Sequence, residues 1–253
     1  MITVEKIMIK TYEEPELKSP IFVGGLPGIG NVGKITADYF IDKLKMEKIA
    51  DIYSEFLPPQ VFIYDNVIHL VRVSIYYKKT GKKNDLIFLT GDFQGTTQEG
   101  QYELSYAILE LLKKYDVDRV YTLGGYSVGK IVEKPRVLGA VSDKKLIKPL
   151  EKNGVVFPSG EPSGGIVGSA GLILGLGTEM FSVPGACFMG ETSGYFADPK
   201  SARAIIMVLS RVLKTKINLS DIDEKTKQLE DITEKMRQEA QNKNSKEDLG
   251  YFG

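Results

Sequence analysis

The chain has 253 residues, 42% hydrophobic and 26% charged, which is ordinary globular material with apolar mass enough for one large core. Thirty-three Lys and Arg balance thirty-three Asp and Glu, so no net field favours nucleic acid or an anionic membrane. A single cysteine, Cys187, and a single histidine, His69, leave no intrachain disulfide and too few nitrogen and sulfur ligands for a usual zinc site.

The opening residues 1–6 lack a basic segment followed by an apolar one, and no apolar run is long enough to span a bilayer, so a cytoplasmic chain is expected. Residues 21–24 read as a short buried strand. Residues 32–44 carry Val32, Ile35, Tyr39, Phe40 and Leu44 at helical spacing. Residues 49–53, 61–64 and 67–77 are rich in β-branched and aromatic types, with Asp65-Asn66 as a turn. His69 alternates with Val67, Val71, Val73 and Ile75, which places it on the apolar face of that last strand.

Residues 85–90 read as a buried strand, 99–115 as an amphipathic helix, and 119–123 as a parallel strand ending in Gly124-Gly125. The glycine-rich segment 160–177 reads as a loop feeding a closely packed helix, its early amides open to an anion as an alternative. A strand at 186–189 holds Cys187 as a buried thiol, and a helix follows at 199–213 with Pro199 in its first turn. Strands and helices thus alternate, and the expected fold is one doubly wound, mostly parallel α/β domain over residues 1–215.

The C-terminal part differs in kind. Ser220 is a good N-cap, and Ile222, Leu229, Ile232 and Met236 form one narrow apolar stripe, so residues 216–243 read as an amphipathic helix laid on the body or paired in an oligomer. Residues 241–248 contain no apolar side chain and cannot offset the entropy of ordering, so 244–253 reads as a flexible tail. That tail ends in Tyr251-Phe252-Gly253, which either docks in a partner's pocket together with the terminal carboxylate or is a frayed end.

Few residues offer chemistry. Gly28-Ile29-Gly30-Asn31-Val32-Gly33 matches the dinucleotide fingerprint Gly-x-Gly-x-x-Gly between a strand and a helix. The acid that should hold a ribose is misplaced, since Asp51 lies inside the next strand, and a tight turn for helix–strand packing is the competing reading. Glu191, after a strand's C-terminal end, is the best carboxylate in the chain but names no reaction alone. An enzyme or sensor of nucleosides or nucleotides using Gly28, Gly30, Gly33 and Glu191 is therefore the alternative function. No cofactor, metal or catalytic residue is expected.

Taken in order, Gly25-Leu26-Pro27-Gly28-Ile29-Gly30-Asn31-Val32-Gly33, Tyr121-Thr122-Leu123-Gly124-Gly125, Gly168-Ser169-Ala170-Gly171-Leu172-Ile173-Leu174, Met189-Gly190-Glu191-Thr192 and Asp198-Pro199 resemble the successive motifs of the proteasome assembly chaperone superfamily, specifically its archaeal members. The resemblance spans about residues 20–210. It implies an α/β body akin to the nucleoside phosphorylase fold, no catalytic activity, self-association, and a role in assembling the α-ring of the 20S proteasome. The implied partners are the proteasome α subunits and further copies of the chain, with a second adaptor protein as an additional candidate, and neither nucleic acid nor membrane.

Proteasome-binding tails of this kind end in a hydrophobic residue, a tyrosine and any last residue. Tyr251, Phe252 and Gly253 take those places, with phenylalanine where tyrosine is usual. The ring is kept and the hydroxyl lost, a change on the order of 1 kcal/mol if that group's hydrogen bond is buried.

Overall fold

In a computed structural model of the chain, residues 6–228 are described. The chain divides into two units, residues 1–217 and 218–253. The first is built on an eight-stranded sheet.

In chain order its strands are β1 (Ile7–Thr11), β2 (Ile21–Gly24), β3 (Glu47–Ser54), β6 (Val73–Lys78), β7 (Leu86–Gly91), β8 (Arg119–Ser127), β9 (Val137–Val141) and β10 (Gly185–Thr192), while β4 (Val61–Tyr64) and β5 (Val67–Leu70) pair separately. The spatial order is β1-β3-β6-β7-β2-β8-β10-β9. β7, β2, β8 and β10 run parallel in the centre, and their buried runs such as Leu86–Gly91 suit a sheet covered on both faces. β1, β3 and β6 on one side and β9 on the other join antiparallel. The sheet is therefore mixed, which corrects the expectation of a mostly parallel one. β6 and β7 are joined by residues 79–85 alone, too short a link for a parallel crossover, so that pair must run antiparallel.

The helices are α1 (Val32–Lys43), α2 (Gln98–Lys113), α3 (Ile147–Glu151), α4 (Ser169–Phe181) and α5 (Pro199–Val212). α1 packs with α5, and α2 with α4. Strand alternation puts the two pairs on opposite faces: Gly33 of α1 abuts Leu123, whereas Gly177 of α4 faces Val120 and Leu109. Local signals set the helix starts. Thr97 accepts from the Gly100 N–H at 3.0 Å ahead of α2, and Asp198 accepts from the Ser201 N–H at 2.8 Å ahead of α5, with Pro199 in the first turn as expected.

The strand expected over 67–77 is broken. Arg72 donates its N–H to the Asp92 carboxylate and its carbonyl accepts from the Asp92 N–H, both at 3.0 Å, which turns the chain out of the hairpin and into the main sheet. His69 consequently lies half-buried on the β4–β5 hairpin beside Tyr64, ring centroids 5.7 Å apart, and Val71, Val73 and Ile75 enter the core without it. In the second unit residues 220–228 are helical, and Ile222 is buried there. Leu229, Ile232, Met236, Tyr251, Phe252 and Gly253 lie outside the described residues, as do the expected segments beyond 228. Among the described residues no helix is long and apolar enough to cross a membrane.

Candidate functional site

The residues with chemical potential gather around the C-terminal ends of the parallel strands, where open α/β sheets place their sites. Between Gly24 of β2 and Val32 of α1 the chain makes a short 3-10 turn over residues 29–31, with Gly30 and Asn31 in the left-handed region at φ 61° and 50°. The turn is held by the Asn31 N–H to the Gly28 carbonyl at 2.9 Å and the Asp198 N–H to the Gly30 carbonyl at 2.8 Å. Gly33 works by absence of a side chain: a Cβ there would stand 2.4 Å from the Leu123 carbonyl oxygen. These contacts dock α1 closely on β8, which is the packing reading of the glycine motif.

Glu191 is not brought to this loop. Gly30 lies against Thr192, and the alternation of β10 sends Glu191 to the other face of the sheet. There it is occupied by Arg136. The Arg136 backbone N–H donates to one carboxylate oxygen at 2.9 Å, and its Nε and Nη2 donate to the other at 2.9 and 2.5 Å. Arg136 Nη2 also reaches Glu161 at 2.9 Å. The Arg136 side chain holds the Glu191 carboxyl below its ordinary range against the opposing effect of burial. A carboxylate so engaged is a structural ion pair, not a free base. Sequence reasoning missed Arg136; the usable signal was that a carboxylate at the end of a buried strand requires a cation.

A cleft of about 720 Å³ opens on the α4 face of the sheet. Its floor includes Thr122, Gly124, Cys187 and Met189, and α4 with residues 162–167 covers it. A Cβ on Gly124 would meet nothing within 4 Å, so this glycine opens the floor. Burial pushes the Cys187 thiol up to about 11, which suits an inert side chain. Gln94 closes the mouth: its amide donates to the Pro27 carbonyl at 2.5 Å and its oxygen accepts from the Ser169 N–H at 3.0 Å, while Ser169 Oγ donates to Gln101 at 2.9 Å. An amide at the start of α4, the anion site the sequence left open, is thus taken by a neutral side chain. Among the described residues no group of three or more His, Cys, Asp or Glu could hold a metal ion.

Asp51, weighed above as a ribose ligand, is buried in β3 away from the glycine loop. Burial pushes its carboxyl up, but donors prevail and hold it below the ordinary range: Ser74 Oγ at 2.5 Å, Lys48 Nζ at 2.9 Å and Tyr12 Oη at 2.9 Å. Its negative charge in turn raises the Tyr12 hydroxyl to about 12, chiefly through that hydrogen bond. This cluster ties β1, β3 and β6 together and faces no cavity described above.

The model of the PAC2 family matches residues 22–237. The uncharacterized protein MJ1210 of Methanocaldococcus jannaschii is 34% identical over 262 residues, covering 100% of both chains. Among solved structures, PbaB of Pyrococcus furiosus, an archaeal proteasome activator, superposes with a TM-score of 0.87 at 35% identity, over 92% of this chain and 100% of that one. PbaA of Pyrococcus furiosus, an archaeal homolog of proteasome-assembly chaperone, gives 0.76 at 24% identity over 98% of each chain, a likeness of fold. The resemblance drawn from the ordered glycine motifs is borne out: the chain belongs to the PAC2 family.

Proposed function

We propose that this protein is a non-enzymatic chaperone or adaptor of the proteasome that self-associates and docks its C-terminal tail on the α-ring of the 20S particle. The observation that supports the reading is the 35% identity to a proteasome activator, with superposition over 92% of this chain. The body is read as kin to the nucleoside phosphorylase fold, with the carboxylate best placed for catalysis committed to Arg136. The segment 216–243, helical over residues 220–228, then carries the tail 244–253, whose Tyr251, Phe252 and Gly253 enter pockets between α subunits. Several tails on one assembly convert weak single contacts into avidity when their spacing fits the ring. A pull-down of 20S proteasome with the intact chain and with a chain lacking residues 251–253 tests this, and equal capture by both would sink the tail's role.

A further inference from the structure

The cleft on the α4 face lies where the connections between strands change direction. From the C-terminal end of β2 the chain passes through α1 to β3 on one side of the sheet. From the end of the adjacent, parallel β8 it passes to β9 and, through α4, to β10 on the other side. The crevice outside the ends of two strands whose connections part in this way is where open α/β sheets take up ligands. Gly24 of β2 and Thr122, Gly124 and Gly125 of β8 line the cleft at that point, and its volume of about 720 Å³ is that of a small-molecule site.

The lining selects by charge. Among the described residues it contains no Lys, Arg or His, and Glu179 is its one carboxylate. Burial keeps Cys187 a neutral thiol, and the Ser169 N–H at the start of α4 is already taken by Gln94. An anion would lose its hydration here and meet no counter-charge. A cation would find only Glu179, which is exposed on the last turn of α4, where an ion pair is worth little. The walls are mainly apolar, with Leu26, Ile166, Ile173 and Leu174 beside the Tyr126 ring and the Met189 thioether. At the floor one polar group stands unmatched: the fully buried Thr122 hydroxyl makes no hydrogen bond of ordinary geometry among the described residues. Its neighbour in the register is Cys187, whose thiol it draws down against burial, but a thiol is a weak partner. A buried hydroxyl left in this state costs stability until something binds it.

We infer that this cleft binds an uncharged aromatic small molecule carrying one hydrogen-bonding group. The ring packs against Tyr126 and Met189, and the polar group meets the Thr122 hydroxyl. Gly124 gives the ring its room, since a Cβ there would meet nothing within 4 Å. The site is separate from the tail proposed to engage the proteasome and stands or falls independently of it.

Indole-3-acetamide and indole-3-acetate share one skeleton and differ by one charge, and the chain has no Trp, so indole signals belong to the probe alone. In saturation-transfer NMR with the full chain, the amide should saturate one site with a Kd of about 1 mM or tighter, and the acetate should bind at least about tenfold more weakly. Thr122→Val should weaken the amide about fivefold and leave Tm no lower than that of the wild type, because a hydroxyl without a partner stabilises nothing. Gly124→Val puts a side chain into the cleft and should abolish binding in a chain that circular dichroism shows to be folded; should it not fold, Thr122→Val alone decides. Ile63→Lys, on the exposed β4–β5 hairpin, should change nothing. Equal binding of amide and acetate, binding untouched by the cleft substitutions, or no saturation below about 10 mM overturns the site. Loss of binding in Ile63→Lys assigns the probe to the hairpin and overturns it as well. A lower Tm in Thr122→Val makes the hydroxyl a structural donor and overturns its part in recognition.

Discussion

Replacing Arg136 with Met isolates the ion pair that occupies Glu191. The substitution removes two side-chain hydrogen bonds to a carboxylate whose side chain is 7% exposed, and leaves the backbone N–H of residue 136 in place. Each bond to a charged group is worth about 1.5–3 kcal/mol when buried. The guanidinium, however, is 46% exposed, so solvent screening cuts the pair well below the sum, and water can reach the stranded carboxylate. About 2 kcal/mol at neutral pH is expected. For a chain of this size that is a fall in Tm of about 4–8 °C. The folded-state pKa of Glu191 is lowered, so its contribution is present above the ordinary glutamate value of about 4.3 and is lost as pH falls through the lower folded value. Thermal unfolding of wild type, Arg136→Met, Glu191→Gln and the double variant at pH 7 and pH 3 gives both the coupling and its pH dependence. A cost below about 0.5 kcal/mol, or one that does not shrink at pH 3, refutes the structural assignment of Glu191. Capture of the proteasome should be the same for all four proteins at a temperature where each is folded.

Gly33→Ala should destabilise by about 3 kcal/mol, because its Cβ meets the Leu123 backbone and forces α1 off the sheet; Gly28→Ala, whose Cβ finds Gln94 at 3.6 Å in ordinary contact, should cost less than about 0.5 kcal/mol. Urea titration reads both, and unchanged stability in Gly33→Ala together with nucleotide binding by the wild type would favour a ligand loop instead. Ser74→Ala should cost about 1.5 kcal/mol at pH 7, since it strips the shortest donor from buried Asp51. The Asp51 pKa is lowered in the fold, so this cost should fade as pH drops below about 3.9, and equal losses at pH 7 and pH 3 would contradict it. In the tail, Phe252→Tyr should tighten binding to the α-ring and Phe252→Ala should abolish it, as read by surface plasmon resonance on immobilised 20S particles; indifference to both removes the ring from the account.

The helices and central strands were legible because each buries one stripe or one whole run: residues 32–43, 98–113 and 199–212 start and stop within about two residues of where periodicity and caps put them. β1 and β9 gave no such signal. β1 is an exposed edge strand in which Ile7, Met8 and Ile9 are consecutive, so no alternation survives. β9 is interrupted by Gly139, whose missing side chain makes room for the Phe157 ring, a contact set by distant sequence. The break at Arg72 was hidden likewise, since it depends on Asp92 twenty positions on. At the candidate site the types were readable but their pairing was not. Glu191 and the glycine loop look adjacent in function, and only the alternation of β10 shows that they face opposite ways.

The measurement closest to the central claim is the affinity of the full chain for purified 20S proteasome compared with that of a chain lacking residues 251–253, both verified as the same oligomer. The account predicts saturable binding by the full chain and a loss of at least about tenfold on deletion, since every tail of the assembly is removed at once. Equal affinities, or no binding by the intact chain, would contradict it.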